Sequence, residues 1–329
     1  MLVLSAAEVA SLLDLDALAD AVQAAMADLS AGRASVPPRV AALVPEGDAM
    51  LAAMPAYLPG AGALAAKLVS VFPRNHDQPT HHALICCFDP GTGAPVAVLD
   101  GTYLTAARTA AGSAVATRLL ARPGASRVAV LGTGVQARAH ARALARLPGV
   151  RAVLIAGRDQ SKARELAREL ASELTAAGVT AQAASSVREA VRSADVVCAA
   201  THAASPVLRR EWLRPGAHVN SVGYNTSGDG EVDPVTVGEA LVVVESRAAA
   251  LAPPPAGAVE LVRALAARAI DPGHVVEIGE VAAGTARGRT SDTQLTLYKS
   301  VGVAAQDAAA AGLVLAAARE RGAGTRITM

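Results

Sequence analysis

The chain has almost no aromatic residues: one Trp, four Tyr and two Phe in 329 positions. With 52% of its residues hydrophobic, the interior must be built from Ala, Val and Leu instead. Three cysteines exclude a disulfide framework. Cys86 and Cys87 adjoin in one apolar run and Cys198 lies in another, which suits reduced, buried thiols. A net charge of +1 gives no field to attract nucleic acid or an anionic membrane. No apolar run approaches the roughly 20 residues that span a bilayer. Residues 1–20 carry acids at amphipathic spacing instead of a basic leader, so a cytoplasmic protein is expected. No spacing of His, Cys and Asp resembles a metal site. The length suits about two domains.

What the chain does have is a sharp signal at residues 128–137. Val128-Ala129-Val130-Leu131 runs into Gly132-Thr133-Gly134-Val135-Gln136-Ala137, and an Ala/Arg/His/Leu segment then continues as a helix. Strand, Gly-x-Gly-x-x-Ala turn and helix together form a dinucleotide-binding fingerprint. Gly132 permits the tight turn, and Gly134 lets the backbone approach a pyrophosphate. Ala137 is small enough for the helix to pack on its strand. The helix start offers N–H groups and a positive dipole end to phosphates. NAD(H) or NADP(H) is the expected ligand.

Organisation changes along the chain. Residues 5–31 show helical spacing, with caps at Ser5 and Asp14, and predict two short helices. Short apolar runs at 39–44, 50–54, 65–72, 83–88 and 95–99, separated by Pro, Gly and Asp, predict an antiparallel meander. A helix at 103–121 follows, ended by Arg122-Pro123-Gly124. Strands are then expected at 128–131, 152–156, 180–183, 196–199, 218–222 and 241–245. Helices at 136–146, 161–176 and 186–193 alternate with them. That alternation predicts a Rossmann-type doubly wound parallel sheet. A strand-like segment at 294–298 precedes a final helix at 301–321.

Ligand groups in such a sheet sit at the carboxyl ends of its strands. At the end of the second strand stand Gly157 and Arg158, where an NAD enzyme usually has an acid for the adenosine ribose. Its absence, with an arginine alongside, favours NADP(H) over NAD(H). An arginine that merely stacks on adenine is the alternative. Ala200-Thr201-His202 ends the fourth strand, and Ser221-Val222-Gly223-Tyr224-Asn225 ends the fifth, where the nicotinamide is expected. In the first part of the chain, Arg39, Lys67 and Arg108 each interrupt apolar surroundings. Either each has an acidic neighbour, or together they await an anion such as a substrate carboxylate, or they are scattered surface charges.

Several segments resemble the ornithine cyclodeaminase/μ-crystallin family: Pro37-Pro38-Arg39-Val40, Met54-Pro55-Ala56-Tyr57, Lys67-Leu68-Val69, Thr105-Ala106-Ala107-Arg108-Thr109-Ala110-Ala111, Gly132-Thr133-Gly134-Val135-Gln136-Ala137 and Lys299-Ser300-Val301-Gly302. They fall in the family's order and cover most of the chain. The resemblance implies a homodimer acting on a small imino or amino acid. In it Arg39, Lys67 and Arg108 hold the substrate carboxylate. Thr109, Gly132, Gly134, Val135, Gln136, Arg158, Thr201, Val222, Gly223 and Ser300 contact the dinucleotide. It also implies an α+β substrate-binding and dimerisation domain at 1–121, the dinucleotide-binding domain at 122–300, and a helix at 301–329 returning to the first domain.

Departures from the cyclodeaminase pattern narrow the expected reaction. That pattern has an acid two positions before Met-Pro, where this chain has Ala52, and a catalytic aspartate where it has Asn225. Neutral Asn225 cannot accept the proton that an amino acid must lose before hydride leaves it. Reducing a preformed imine has no such requirement. Thr80-His81-His82-Ala83-Leu84 resembles the reductase-like branch, and His81 or His82 is a candidate proton donor. His81 and Asn225 are therefore the expected catalytic residues. The expected activity is NAD(P)H-dependent reduction of a small α-imino acid: a cyclic ketimine such as pyrroline- or piperideine-2-carboxylate, or iminosuccinate. Alternatives are a cyclodeaminase or alanine-dehydrogenase type enzyme, and a dinucleotide-dependent binding protein of the crystallin type.

Overall fold

The computed structural model describes residues 1–223, 228–253 and 256–328. In chain order its elements are β1 (Leu2–Leu4), α1 (Ala6–Leu12), α2 (Leu15–Ser30), β2 (Val40–Val44), β3 (Ala49–Leu58), β4 (Ala63–Val71), β5 (His81–Phe88), β6 (Pro95–Asp100) and α3 (Gly101–Leu120). There follow β7 (Arg127–Leu131), α4 (Val135–Ala145), β8 (Ala152–Ala156), α5 (Gln160–Ala176), β9 (Thr180–Ala183), α6 (Val187–Ser193), β10 (Val196–Ala199) and β11 (His218–Ser221). The remainder comprises α7 (Pro234–Glu239), β12 (Leu241–Val244), α8 (Arg247–Ala250), α9 (Val259–Ala266), β13 (Val276–Glu277), α10 (Ile278–Ala282), β14 (Thr296–Lys299), α11 (Ala304–Arg321) and β15 (Thr325–Arg326). Two compact units result, one of Met1–Arg108 with Gly302–Met329 and one of Thr109–Val301. The first division falls inside α3, whereas the break at Arg122-Pro123-Gly124 only ends that helix.

In the first unit the strand order is β15-β1-β6-β5-β4-β3-β2. The expected antiparallel meander accounts for β2 to β6. β1 is an addition: three residues are too few to show a period, yet they pair parallel to β6 and antiparallel to β15. Ser5 and Asp14 cap α1 and α2 as their spacing implies, Ser5 within a capping box completed by Glu8. Helix α11 packs against β3, β4 and α2. It carries ten buried residues, mostly alanines, and small side chains let a helix lie close to a sheet.

The second unit holds an eight-stranded parallel sheet ordered β13-β12-β14-β11-β10-β7-β8-β9. Strands β9-β8-β7-β10-β11 reproduce the doubly wound order, with the switch point beside β7. Residues alternate between its two faces. Val128 and Val130 pack with Ala137, Leu144, Leu166 and Leu170 on one side, and Ala129 and Leu131 with Val191, Val197 and Val219 on the other. Strand β14, late in sequence, inserts between β11 and β12 and brings Lys299 beside Ser221. Among the described residues no helix is long and apolar enough to cross a membrane.

Candidate active site

Register explains how the three cations of the first unit meet. Lys67 pairs with Met54 on one side and Ile85 on the other, and Ile85 pairs with Leu99. Paired residues of antiparallel strands share a face. Arg39 precedes Val40, which pairs with Ala53, so it extends this row opposite Met54. Helix α11 covers the face and brings Asp307. Lys67 is 2% exposed, Arg108 4% and Asp307 1%. Lys67 Nζ lies 2.9 Å from Asp307 Oδ1 and 2.8 Å from Oδ2. Arg108 donates from Nε to Asp307 Oδ1 at 3.0 Å and from Nη1 to the side-chain oxygen of Gln306 at 2.6 Å. Half-buried Arg39 donates from Nη2 to the Gly302 carbonyl at 2.7 Å.

For Lys67 and Arg108 this burial excludes scattered surface charges. It also unites the two remaining readings: an acidic neighbour is present, yet one carboxylate pairs with two buried cations and the Arg39 charge acts on Lys67 as well. The excess positive charge suits one further carboxylate. Burial first, then the Arg108 and Arg39 charges, push the Lys67 ammonium down to about 8 despite the opposing pull of Asp307. Gly302 is required here. Its φ is +73°, and a Cβ would lie 2.8 Å from Arg108 Nη1. Sequence reasoning missed Asp307 and Gln306, whose only signal was two polar residues at the start of an alanine-rich helix.

Two further expectations concern the same sheet. Ala52 is buried and pairs with Val69, placing it on the Lys67 face where the cyclodeaminase pattern has its acid. His81 opens β5 opposite Val71, on that face too but four residues along β4 from Lys67, about 13 Å of strand. Its Nδ1 lies 3.0 Å from the Thr80 hydroxyl. His82 points to the opposite, exposed face.

The second unit supplies the turn between β7 and α4. Gly132 has φ +124°, and a Cβ there would lie 2.5 Å from the Ala200 carbonyl oxygen. A Cβ on Gly134 would meet nothing within 4 Å. No side chain caps α4, in contrast to Asp159 on α5 and Ser186 on α6. Gln136 Oε1 is buried without a partner among the described residues, and Val135 is exposed. Open space over a glycine and uncapped helix N–H groups fit a dinucleotide pyrophosphate. At the end of β8, Arg158 is exposed and forms no ion pair with any of the described residues. The neighbouring acid, Asp159, accepts from Ser161 N at 2.9 Å and Ser161 Oγ at 2.6 Å, so it is engaged as a cap.

The ends of β10, β11 and β14 are held by buried carboxylates that sequence reasoning did not single out. Glu231 accepts from Thr201 and Gly223, and Ser300 Oγ donates to Glu245 Oε1 at 2.6 Å. Lys299 forms an ion pair with Glu260 at 2.8 Å. Thr201 and Ser300 therefore turn their hydroxyls inward. Val222 is half-buried, and Thr109 is buried in α3. Asn225 lies outside the described residues. Among those described, no group of three or more His, Cys, Asp or Glu could hold a metal ion.

A profile of the ornithine cyclodeaminase/mu-crystallin family matches residues 1–322. The chain belongs to this family. Mouse ketimine reductase mu-crystallin is 36% identical over 298 residues, 89% of each chain. The structure of Thermococcus litoralis Δ1-pyrroline-2-carboxylate reductase with NADH and L-proline superposes with a TM-score of 0.93 at 35% identity, covering 99% of this chain and 100% of that one. An archaeal alanine dehydrogenase dimer with bound NAD gives 0.91 at 32% identity, covering 100% and 99%.

The lowered Lys67 value sets a pH dependence. The folded-state ammonium loses its proton near 8, whereas an unfolded lysine keeps it to about 10.5. Its burial therefore costs stability at neutral pH, and the cost recedes as pH rises. Affinity for a small carboxylate ligand such as pyrrole-2-carboxylate should be level below pH 8 and fall above it. Lys67→Arg, which stays charged, should remove that fall; calorimetric titration from pH 6 to 10 measures both.

Proposed function

We propose that this protein reduces small α-imino acids to amino acids with a nicotinamide dinucleotide. The observation that carries the reading is the group of buried Lys67 and Arg108 with half-buried Arg39, whose charge excess suits one substrate carboxylate. Ala52 in place of the acid of the cyclodeaminase pattern favours a preformed imine over a diamino acid. Cyclic ketimines such as pyrroline- or piperideine-2-carboxylate and the acyclic iminosuccinate are the proposed substrate class. The Thermococcus reductase, which holds NADH and L-proline, supports a cyclic product.

In this reading Lys67, with a third ammonium proton beyond those facing Asp307, and Arg108 orient the carboxylate, while Arg39 closes its other side. Fixed orientation supplies much of the rate enhancement. The cations also draw electron density from the imine carbon. Bound reduced dinucleotide supplies the hydride. Gly132, Gly134, Val135 and Gln136 hold its pyrophosphate, and Thr109, Thr201, Val222, Gly223 and Ser300 its nicotinamide half. His81, on the same sheet face as Lys67, is the proposed source of the proton. Asn225 is proposed to hydrogen-bond the imine or the carboxamide. We further propose a preference for NADP(H), supported by exposed Arg158 beside Asp159, whose carboxylate is engaged as a helix cap, and a cytoplasmic setting.

The opposite sheet face supports a homodimer. Val40, Leu68 and Leu84 align through Ala53 in one row and are 66%, 38% and 50% exposed. The archaeal alanine dehydrogenase is itself a dimer.

A cofactor-oxidation screen of imino acids and keto acid–ammonia mixtures tests the activity. Arg108→Ala should reduce kcat/KM more than tenfold, the loss of about 1.5–3 kcal/mol from one charge-assisted bond, with dinucleotide affinity unchanged. An unaltered kcat/KM would refute the clamp. Arg158→Ala should weaken NADPH far more than NADH; equal weakening would leave the arginine only a stacking role. For the dimer, Leu68→Asp with Leu84→Asp should halve the mass measured by light scattering.

A further inference from the structure

Resting on that reading and extending it, we propose that Glu231 is a positioning residue that fixes the nicotinamide half of the dinucleotide site through Thr201 and Gly223. Its carboxylate is fully buried and faces hydrogen-bond donors in place of a lysine or arginine. Oxygen Oε2 accepts from the Thr201 N–H at 3.0 Å and the Thr201 hydroxyl at 2.9 Å. Oxygen Oε1 accepts from the Gly223 N–H at 2.6 Å and the Ser221 hydroxyl at 2.9 Å. Each oxygen thus serves one strand: Oε2 the residues after β10, Oε1 the end of β11. A planar carboxylate of fixed width sets the separation of the two loops.

The fit around this group leaves little tolerance. A Cβ on Gly223 would stand 2.4 Å from the Thr201 carbonyl oxygen and 2.5 Å from Glu231 Oε2. The same residue is held from its other end, because Lys299 Nζ donates to the Gly223 carbonyl at 2.8 Å and to Ser221 Oγ at 3.1 Å. Lys299 is anchored in turn by Glu260. Four donors converge on one carboxylate, so an amide cannot replace it: one of its two positions would present N–H to N–H.

Position decides which half of the ligand is affected. The Gly132 turn and Arg158 lie at β7 and β8, while Thr201 and Gly223 follow β10 and β11 on the other side of the switch point. A dinucleotide bound across that point places its adenosine at the first end and its nicotinamide at the second. None of the four bonds to Glu231 involves the adenosine side.

The test compares binding of NADPH and 2′-phospho-ADP-ribose, which lacks the nicotinamide, by calorimetry on wild type and Glu231→Gln. Loss of one charge-assisted bond predicts NADPH weakened by about tenfold or more, with 2′-phospho-ADP-ribose unchanged within about twofold. The kcat for imine reduction should fall as well. Thr201→Val and Ser221→Ala, each removing one hydroxyl donor, should shift the same affinity ratio less, and they serve if the Gln variant does not fold. Equal weakening of both ligands, or an unchanged ratio in every variant, overturns the proposal. Failure of the underlying reading looks different: wild type would then reduce no imino acid and gain no binding from the dinucleotide.

Discussion

Asp307 is buried in contact with two buried cations, and the arrangement of the first unit depends on that contact. A lysine and an arginine, both almost fully enclosed, repel one another and have lost their hydration. Without a carboxylate the pair would be prohibitively expensive to bury. Asp307 supplies it from α11, the last helix of the chain. That helix therefore contributes more than an apolar cover for the sheet. Because one carboxylate only partly offsets three cations, the site stays electropositive and keeps Lys67 easy to deprotonate.

The second unit uses buried carboxylates differently. Glu231 and Glu245 draw N–H and hydroxyl donors together, and Glu260 anchors Lys299. These side chains come from the stretches after β11, after β12 and in α9, yet they act on the ends of β10, β11 and β14. A parallel strand ends in loose backbone groups at the place where a ligand is to bind. Holding those groups from below leaves their outer surface to the ligand. At the first strand the opposite solution is used: Gly132 and Gly134 remove side chains, and the start of α4 keeps its N–H groups without a cap.

Much of this was legible in the sequence. The run of Val128–Leu131 into the glycine turn announced the first strand of the second unit, and caps such as Ser5 and Asp14 mark helix starts by local chemistry alone. The meander was readable because Pro, Gly and Asp punctuate its apolar runs. What was not readable is equally specific. β1 and β15 are too short for periodicity and exist only through pairing with distant partners. The insertion of β14 between β11 and β12 follows from long-range registry. The partners of Lys67, Arg108 and Lys299 lie 240, 199 and 39 residues away in the chain, so no local window contains them.

The sequence by itself determined most of the longer elements, the dinucleotide fingerprint, and which cations stand in apolar surroundings. Those properties depend on neighbours within a few residues, through backbone conformation and hydrophobic period. Tertiary structure alone decided that Lys67 and Arg108 meet one carboxylate, and that Glu231 ties two strand ends together. Each of these rests on the burial of a charge, whose cost is met only when residues remote in sequence converge in space.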